Sequence, residues 1–69
     1  MTATLKLQAK MKECGYTIDG LAKDVGISRT ALFNKIHNLS EFYVSEFEVI
    51  GRLLKMSATE KEEIFFAKV

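Results

Sequence analysis

Between Leu21 and Leu32 the chain has very little room in which to turn. Leu21 and Ala22 are followed by Val25, Gly26 and Ile27, then by Ser28, then by Leu32. Two helices can cross steeply through a turn of a few residues only if the first presents a small side chain at the contact and the turn contains a glycine. Ala22 and Gly26 meet those demands. Val25 and Ile27 flank the turn, Ser28 supplies the hydroxyl that starts a new helix, and Leu32 pins that helix to the core.

The rest of the chain reads as helix on both sides of this elbow. Proline is absent, so glycine and asparagine are the only strong breaks, and no alternating strand pattern is visible. Leu7, Met11 and Cys14 are spaced as the buried stripe of a first helix over residues 4 to 14, closed by Gly15. Thr17 caps a second helix whose inner face is Leu21, Ala22 and Val25, and Asp19 suits its first turn. A third helix buries Leu32 and Ile36 and runs out near Asn38, which tolerates the left-handed conformation. A fourth, starting near Val44 to Ser45, carries two apolar stripes: Phe47, Ile50 and Leu54, then Val49, Leu53 and Met56. Glu48, Arg52 and Lys55 are its polar strip, so it is expected to be central. Ser57 and Glu60 have capping-box spacing and open a fifth helix.

Sixty-nine residues can wrap one hydrophobic core. The expectation is a single all-α domain over residues 1 to 69. Its small core makes economical packing or a partner subunit necessary. The apolar share of 48% and charged share of 28% exclude wholesale disorder. The lone Cys14 and an opening stretch without the apolar core of a signal peptide point to the cytoplasm, and no apolar run approaches membrane-spanning length. The net charge of +1 is unevenly spread: residues 1 to 39 hold six bases against three acids, residues 40 to 69 four against six. Positive charge therefore gathers in the half that contains the elbow, where a polyanion could be met.

The elbow has the spacing of a helix-turn-helix. Gly15 to Ile36 (GYTIDGLAKDVGISRTALFNKI), with Ser40 to Ile50 (SEFYVSEFEVI) and the SATEKEEIFF ending, resembles the lambda-repressor-like (Xre/Cro) DNA-binding domains, particularly the short regulators of phages of Gram-positive bacteria. The resemblance covers nearly the whole chain. It implies a compact five-helix bundle in which helix 2 lies across the DNA backbone and helix 3 enters the major groove. It also implies a homodimer on a palindromic or near-palindromic operator, its recognition helices about 34 Å apart.

The residues of helix 3 suit that role. Rotating about 100° per residue from Leu32 and Ile36 turns Thr30, Asn34 and His37 outward, with Phe33 and Lys35 on the flanks. Arg29, Thr30 and Asn34 are the expected base readers: arginine can fork onto guanine, asparagine onto adenine, and threonine can offer a hydroxyl or a methyl. Phe33 either covers the core edge or meets a thymine methyl. Thr17, Ser28, Lys35 and Ser40 are the expected phosphate contacts, although Thr17 and Ser28 would be helix caps with or without DNA. Ile18 stands where many relatives have a phosphate-bonding glutamine, and Lys35 where the commoner pattern has a core aliphatic. Tyr43 replaces a small hydroxyl residue before helix 4, leaving Ser45 with Glu48 as the expected cap.

Ile64, Phe65 and Phe66 are consecutive and spread over about 200° of helix 5, so they cannot all face one core. Phe65, Phe66 and Val69 are the expected dimer contact, unless the tail folds back on Met56 and the core. Catalysis has little support: one His and one Cys provide no metal cluster, Ser28 and His37 face different ways, and the glycines form no phosphate cradle. No cofactor or small-molecule ligand is expected. The readings in view are a Cro-type repressor, or the DNA-binding half of a longer one, and an antitoxin or anti-repressor protein-interaction module on the same fold.

Overall fold

Residues that can turn left-handed set the helix ends. The computed structural model describes residues 1–67 and contains five helices among them, with no strand: α1 (Thr4–Glu13), α2 (Ile18–Val25), α3 (Arg29–Ile36), α4 (Val44–Leu53) and α5 (Ala58–Phe65). After α1 the chain turns at Gly15 (φ 75°), after α2 at Gly26 (φ 89°), after α3 at Asn38 (φ 63°) and after α4 at Lys55 (φ 54°). Each turn folds the next amide back to a carbonyl five residues earlier, in the last turn of the helix: Tyr16 to Met11 at 2.9 Å, Ile27 to Ala22 at 3.0 Å, Leu39 to Asn34 at 2.8 Å and Met56 to Gly51 at 2.8 Å. These bonds take up carbonyls that helix termini otherwise leave without partners.

The helix starts are just as local. Thr17 Oγ1 accepts from Gly20 N–H and Ser28 Oγ from Ala31 N–H, both at 3.0 Å. Ser57 and Glu60 close a reciprocal box at 3.1 Å in each direction. Helix α4 differs from expectation. Its cap is Tyr43, whose N–H donates to Glu46 Oε1 at 2.8 Å, while Ser45 and Glu48 lie inside the helix and exposed. Glu46 takes this place because its carboxylate is drawn inward by a second partner, Lys35.

Leu7, Met11, Leu21, Ala22, Leu32, Ile36, Ile50, Leu54, Ile64 and Phe65 form the core. Every helix contributes two of them, counting the C-cap residue Leu54 with α4, as expected for short helices stabilised mainly by tertiary burial. Of the first stripe of α4, Ile50 and Leu54 are fully buried and Phe47 half-buried, whereas Val49, Leu53 and Met56 of the second are all half-buried. The radius of gyration, 10.6 Å, is that of a tightly packed chain of this length, about 11 Å. Among the described residues, no buried side-chain N or O lacks a hydrogen-bond partner. Among the described residues, no helix is long and apolar enough to cross a membrane.

The two ends of the described chain meet. Ala3 N–H donates to the Ile64 carbonyl at 2.7 Å and Ala67 N–H to the Met1 carbonyl at 3.0 Å. Thr4 Oγ1 donates to the Ile36 carbonyl at 2.7 Å. These bonds fix the N-terminal segment against the ends of α3 and α5.

Candidate nucleic-acid interface

The α2–α3 elbow presents the first turns of both helices to solvent. Leu21 and Ala22 are buried beneath it, Val25 and Ile27 are half-buried at its flanks, and Leu32 is fully buried on the far side. A Cβ at Gly26 would meet nothing within 4 Å, so its positive φ alone calls for glycine. Above this base Thr17, Ser28, Arg29 and Thr30 are all exposed. The cap bonds of Thr17 and Ser28 use oxygen lone pairs, so each hydroxyl proton is free to donate outward. Helix α3, RTALFNKI, carries no carboxylate.

Helix α3 exposes a stripe that differs in part from the expected one. Arg29, Thr30, Phe33 and His37 are exposed, and the Phe33 and His37 ring centroids lie 4.3 Å apart. Phe33 is 45% exposed and stands outside the buried core cluster. Asn34 is half-buried, because the chain folds back over the end of α3. Leu39 and Ser40 N–H both donate to the Asn34 carbonyl, at 2.8 and 3.3 Å. Ser40 itself is exposed.

Lys35 is a correction. Expected on the flank as a phosphate contact, it is buried. Its Nζ lies 2.5 and 2.6 Å from the two carboxylate oxygens of Glu46, on α4, and 4.2 Å from the centre of the Tyr43 ring. The ammonium is thus matched by a carboxylate from one helix and covered by an aromatic face, leaving it no path to a phosphate. A lysine three residues after Leu32 falls beside the buried stripe, and only the carboxylate at Glu46 makes that placement tolerable. The pair escaped sequence reasoning because its partners lie eleven residues apart on different helices, a spacing no local pattern marks.

Phe65 is the second correction. Expected at a dimer interface, it is buried, with its ring 5.3 Å from Phe42 and 5.4 Å from Phe47. Phe66, the C-cap residue of α5, is 56% exposed and meets Phe47 edge-on at 5.2 Å. Val69 lies outside the described residues.

Electrostatics around the elbow are mixed. The Arg29 Nε lies 2.9 Å from Asp19 Oδ1, a cross-helix pair not anticipated from the dipole argument for Asp19. Tyr16 O–H donates to Asp24 Oδ2 at 2.9 Å, and this bond holds the phenol above its ordinary pKa. Lys23 on α2 is exposed. Among the described residues, no three His, Cys, Asp or Glu side chains come together as a metal cluster. Comparison with protein-family models, curated proteins and solved structures finds no match to this chain.

Proposed function

We propose that the chain is a sequence-specific double-stranded DNA-binding regulator of the lambda-repressor-like helix-turn-helix kind, acting as a homodimer. In this reading α3 enters the major groove and α2 crosses the backbone. One observation carries it: the tight elbow at Gly26 leaves the first turn and outer stripe of α3 exposed, and that helix bears no carboxylate. A groove lined by phosphates admits such a face and excludes an acidic one.

The roles follow from exposure. Arg29 and Thr30 read base edges from the first turn, Phe33 meets a thymine methyl, and Asn34 works from the edge of the contact. Thr17, Ser28 and Ser40 hold phosphates through hydroxyl donors, and Lys35 is withdrawn from that set. Phe66, beside a cleft of about 190 Å³ that Phe42, Phe47 and Phe65 help to line, supplies the apolar centre of the two-fold contact. Occupying promoter DNA is sufficient for regulation, so no ligand or cofactor is needed.

The test is binding of a labelled random duplex between low and physiological salt, followed by footprinting on the replicon that encodes the chain. Affinity that falls steeply with salt and a protected pseudo-palindrome are the expected results. Absence of binding even at low salt refutes the reading.

A protein-interaction module, such as an antitoxin or anti-repressor, is the second reading. It is favoured by three bulky apolar residues between α3 and the first turn of α4, Leu39, Tyr43 and Val44, which are 72%, 70% and 67% exposed. Capture of a specific protein partner, with no DNA binding at any salt concentration, would establish it instead.

A further inference from the structure

The carboxylate of Asp19, in the first turn of α2, and the guanidinium of Arg29, the first residue of α3, meet in the open. Their side chains are 73% and 66% exposed and the nearest atoms are Oδ1 and Nε, 2.9 Å apart. An ion pair so exposed adds almost nothing to stability. Its consequence is geometric. The guanidinium is a rigid planar fork of five N–H donors. A carboxylate at Nε takes the side of the fork nearest the chain and leaves the terminal edge, formed by the two Nη groups, open. That edge matches the O6 and N7 acceptors of guanine.

We propose that Asp19 is a specificity-determining positioning residue that braces Arg29 so its terminal edge addresses a guanine in the major groove. The proposal rests on the DNA-binding reading above and adds to it the base that Arg29 selects and the residue that makes it selective. A long arginine on a surface samples many rotamers, and ordering it upon binding is unfavourable. An arginine already leaning on Asp19 loses less freedom, and a base that cannot accept both bonds gains nothing from the alternative rotamers that the brace disfavours.

The same carboxylate repels phosphates, so Asp19 acts in two directions. It lowers affinity for every duplex and raises discrimination between duplexes. These effects are separable. A carboxylate that served only the dipole of α2, or was only an unfavourable charge near DNA, would alter affinity for all duplexes alike and leave their ratio unchanged.

The experiment is selection from a randomised duplex pool by the full chain and by Asp19→Ala, Asp19→Asn and Arg29→Ala. Affinities are then measured for the best selected duplex, for its counterpart with the selected guanine replaced by adenine, and for a random duplex. Circular dichroism confirms that each variant is folded. The wild type is expected to prefer guanine at one position in each half-site by roughly tenfold, within the range for one forked arginine–guanine contact. Arg29→Ala should lose that preference. Asp19→Ala should lose most of it while binding the random duplex as tightly as the wild type or tighter. Asp19→Asn, whose amide oxygen still accepts from Nε, should retain more of the preference than Asp19→Ala.

If Asp19→Ala keeps the full guanine preference and binds all duplexes tighter by one common factor, the brace is refuted and the DNA-binding reading stands. If Arg29→Ala keeps the preference, the assignment of guanine to Arg29 is refuted. If the wild type enriches no sequence and binds no duplex at low salt, the DNA-binding reading itself fails, and the brace with it.

Discussion

Asn38 holds Thr2 as a second strand would. Its Oδ1 accepts from the Thr2 N–H at 2.8 Å and its Nδ2 donates to the Thr2 carbonyl at 2.9 Å, while its own backbone sits at φ 63°. One residue therefore turns the chain after α3 through its backbone and ties the N-terminal segment beside it through its side chain, and Thr2 is buried there.

Replacing Asn38 tests both jobs. Asn38→Ala removes the two short hydrogen bonds to Thr2, at about 1 kcal/mol each, and a long one to Thr4 Oγ1, and it places a Cβ without compensating polar contacts in the left-handed region, at ~1 kcal/mol more. Asn38→Gly loses the bonds but not the backbone fit. Urea denaturation should show alanine the more damaging by about 1 kcal/mol, in a domain whose whole stability is roughly 3–10 kcal/mol. Equal losses for the two would mean that φ carries no penalty here.

Lys35 and Glu46 form the polar contact between α3 and α4, with both side chains 10% exposed. Lys35→Met should destabilise by about 3 kcal/mol, because it leaves the carboxylate buried without its cation. The double variant Lys35→Met, Glu46→Leu should recover much of that loss, short of the Tyr43 N–H bond it forfeits. Thermal unfolding of the wild type, Lys35→Met, Glu46→Leu and the double variant closes the cycle. Under conditions where Lys35→Met remains folded, the salt dependence of DNA binding should match the wild type, since the ammonium is placed against Glu46 and not toward solvent.

Gly15 and Gly26 have positive φ and open space where a Cβ would stand. Gly15→Ala and Gly26→Ala should each lose about 1–2 kcal/mol through backbone strain alone. The two sites end different helices, so the losses should add in the double variant. A larger loss at Gly26, measured by the same denaturation, would indicate that the elbow itself rearranges.

Much of the fold could be read from local chemistry. Gly15, Gly26 and Asn38 declared three of the four left-handed turns, and Thr17, Ser28 and Ser57 declared three helix starts. The turn at Lys55 carried no such signal, because lysine disfavours φ 54° and adopts it only where surrounding packing dictates. The start of α4 was misplaced for a related reason: Glu46 caps Tyr43 while also meeting Lys35, a choice fixed by contact between helices. In the candidate interface the exposed first turn of α3 was legible from Ser28 and Leu32. The burial of Lys35 and the ion pair of Arg29 with Asp19 were not, since each depends on a partner eleven or ten residues away. Phe65 and Phe66 were distinguishable only once Phe42 and Phe47 were in place.

Lys10 and Glu60 join α1 to α5, Nζ to Oε2 at 2.9 Å. The bond to Glu60 is the main reason Lys10 lies above its ordinary pKa, desolvation working against it and Glu13 adding to it. The bond to Lys10, helped by the Ser57 N–H, holds Glu60 below the ordinary carboxylate range. A depressed acid stabilises the fold above its unfolded-state pKa and ceases to do so as pH falls through its folded value. A raised base stabilises below its unfolded-state pKa and ceases to do so as pH rises through its folded value. The pair therefore contributes from mildly acidic to mildly alkaline pH and fades at both extremes. Lys10→Met should flatten the stability profile at both ends, and Glu60→Gln should flatten the acid end while retaining an oxygen that can accept the Ser57 N–H. Thermal unfolding from pH 3 to pH 11, chosen to span the ordinary carboxylate and ammonium ranges, measures this, and an unchanged acid limb in both variants would rule the pair out as its cause.

The two terminal phenylalanines provide the sharpest separation of folding from assembly. Phe65→Ala empties a buried position between Phe42 and Phe47 and should destabilise by about 3–5 kcal/mol, a large share of the stability of a domain of this size. Phe66→Ala removes a half-exposed ring whose aromatic contact is edge-on to Phe47, so it should destabilise by ~1 kcal/mol or less. If Phe66 centres a two-fold contact, the same substitution should shift sedimentation from dimer toward monomer at micromolar concentration and weaken operator binding far more than random-duplex binding, because only a dimer spans both half-sites. A Phe66→Ala protein that sediments as the wild type does would move the two-fold contact elsewhere on the surface.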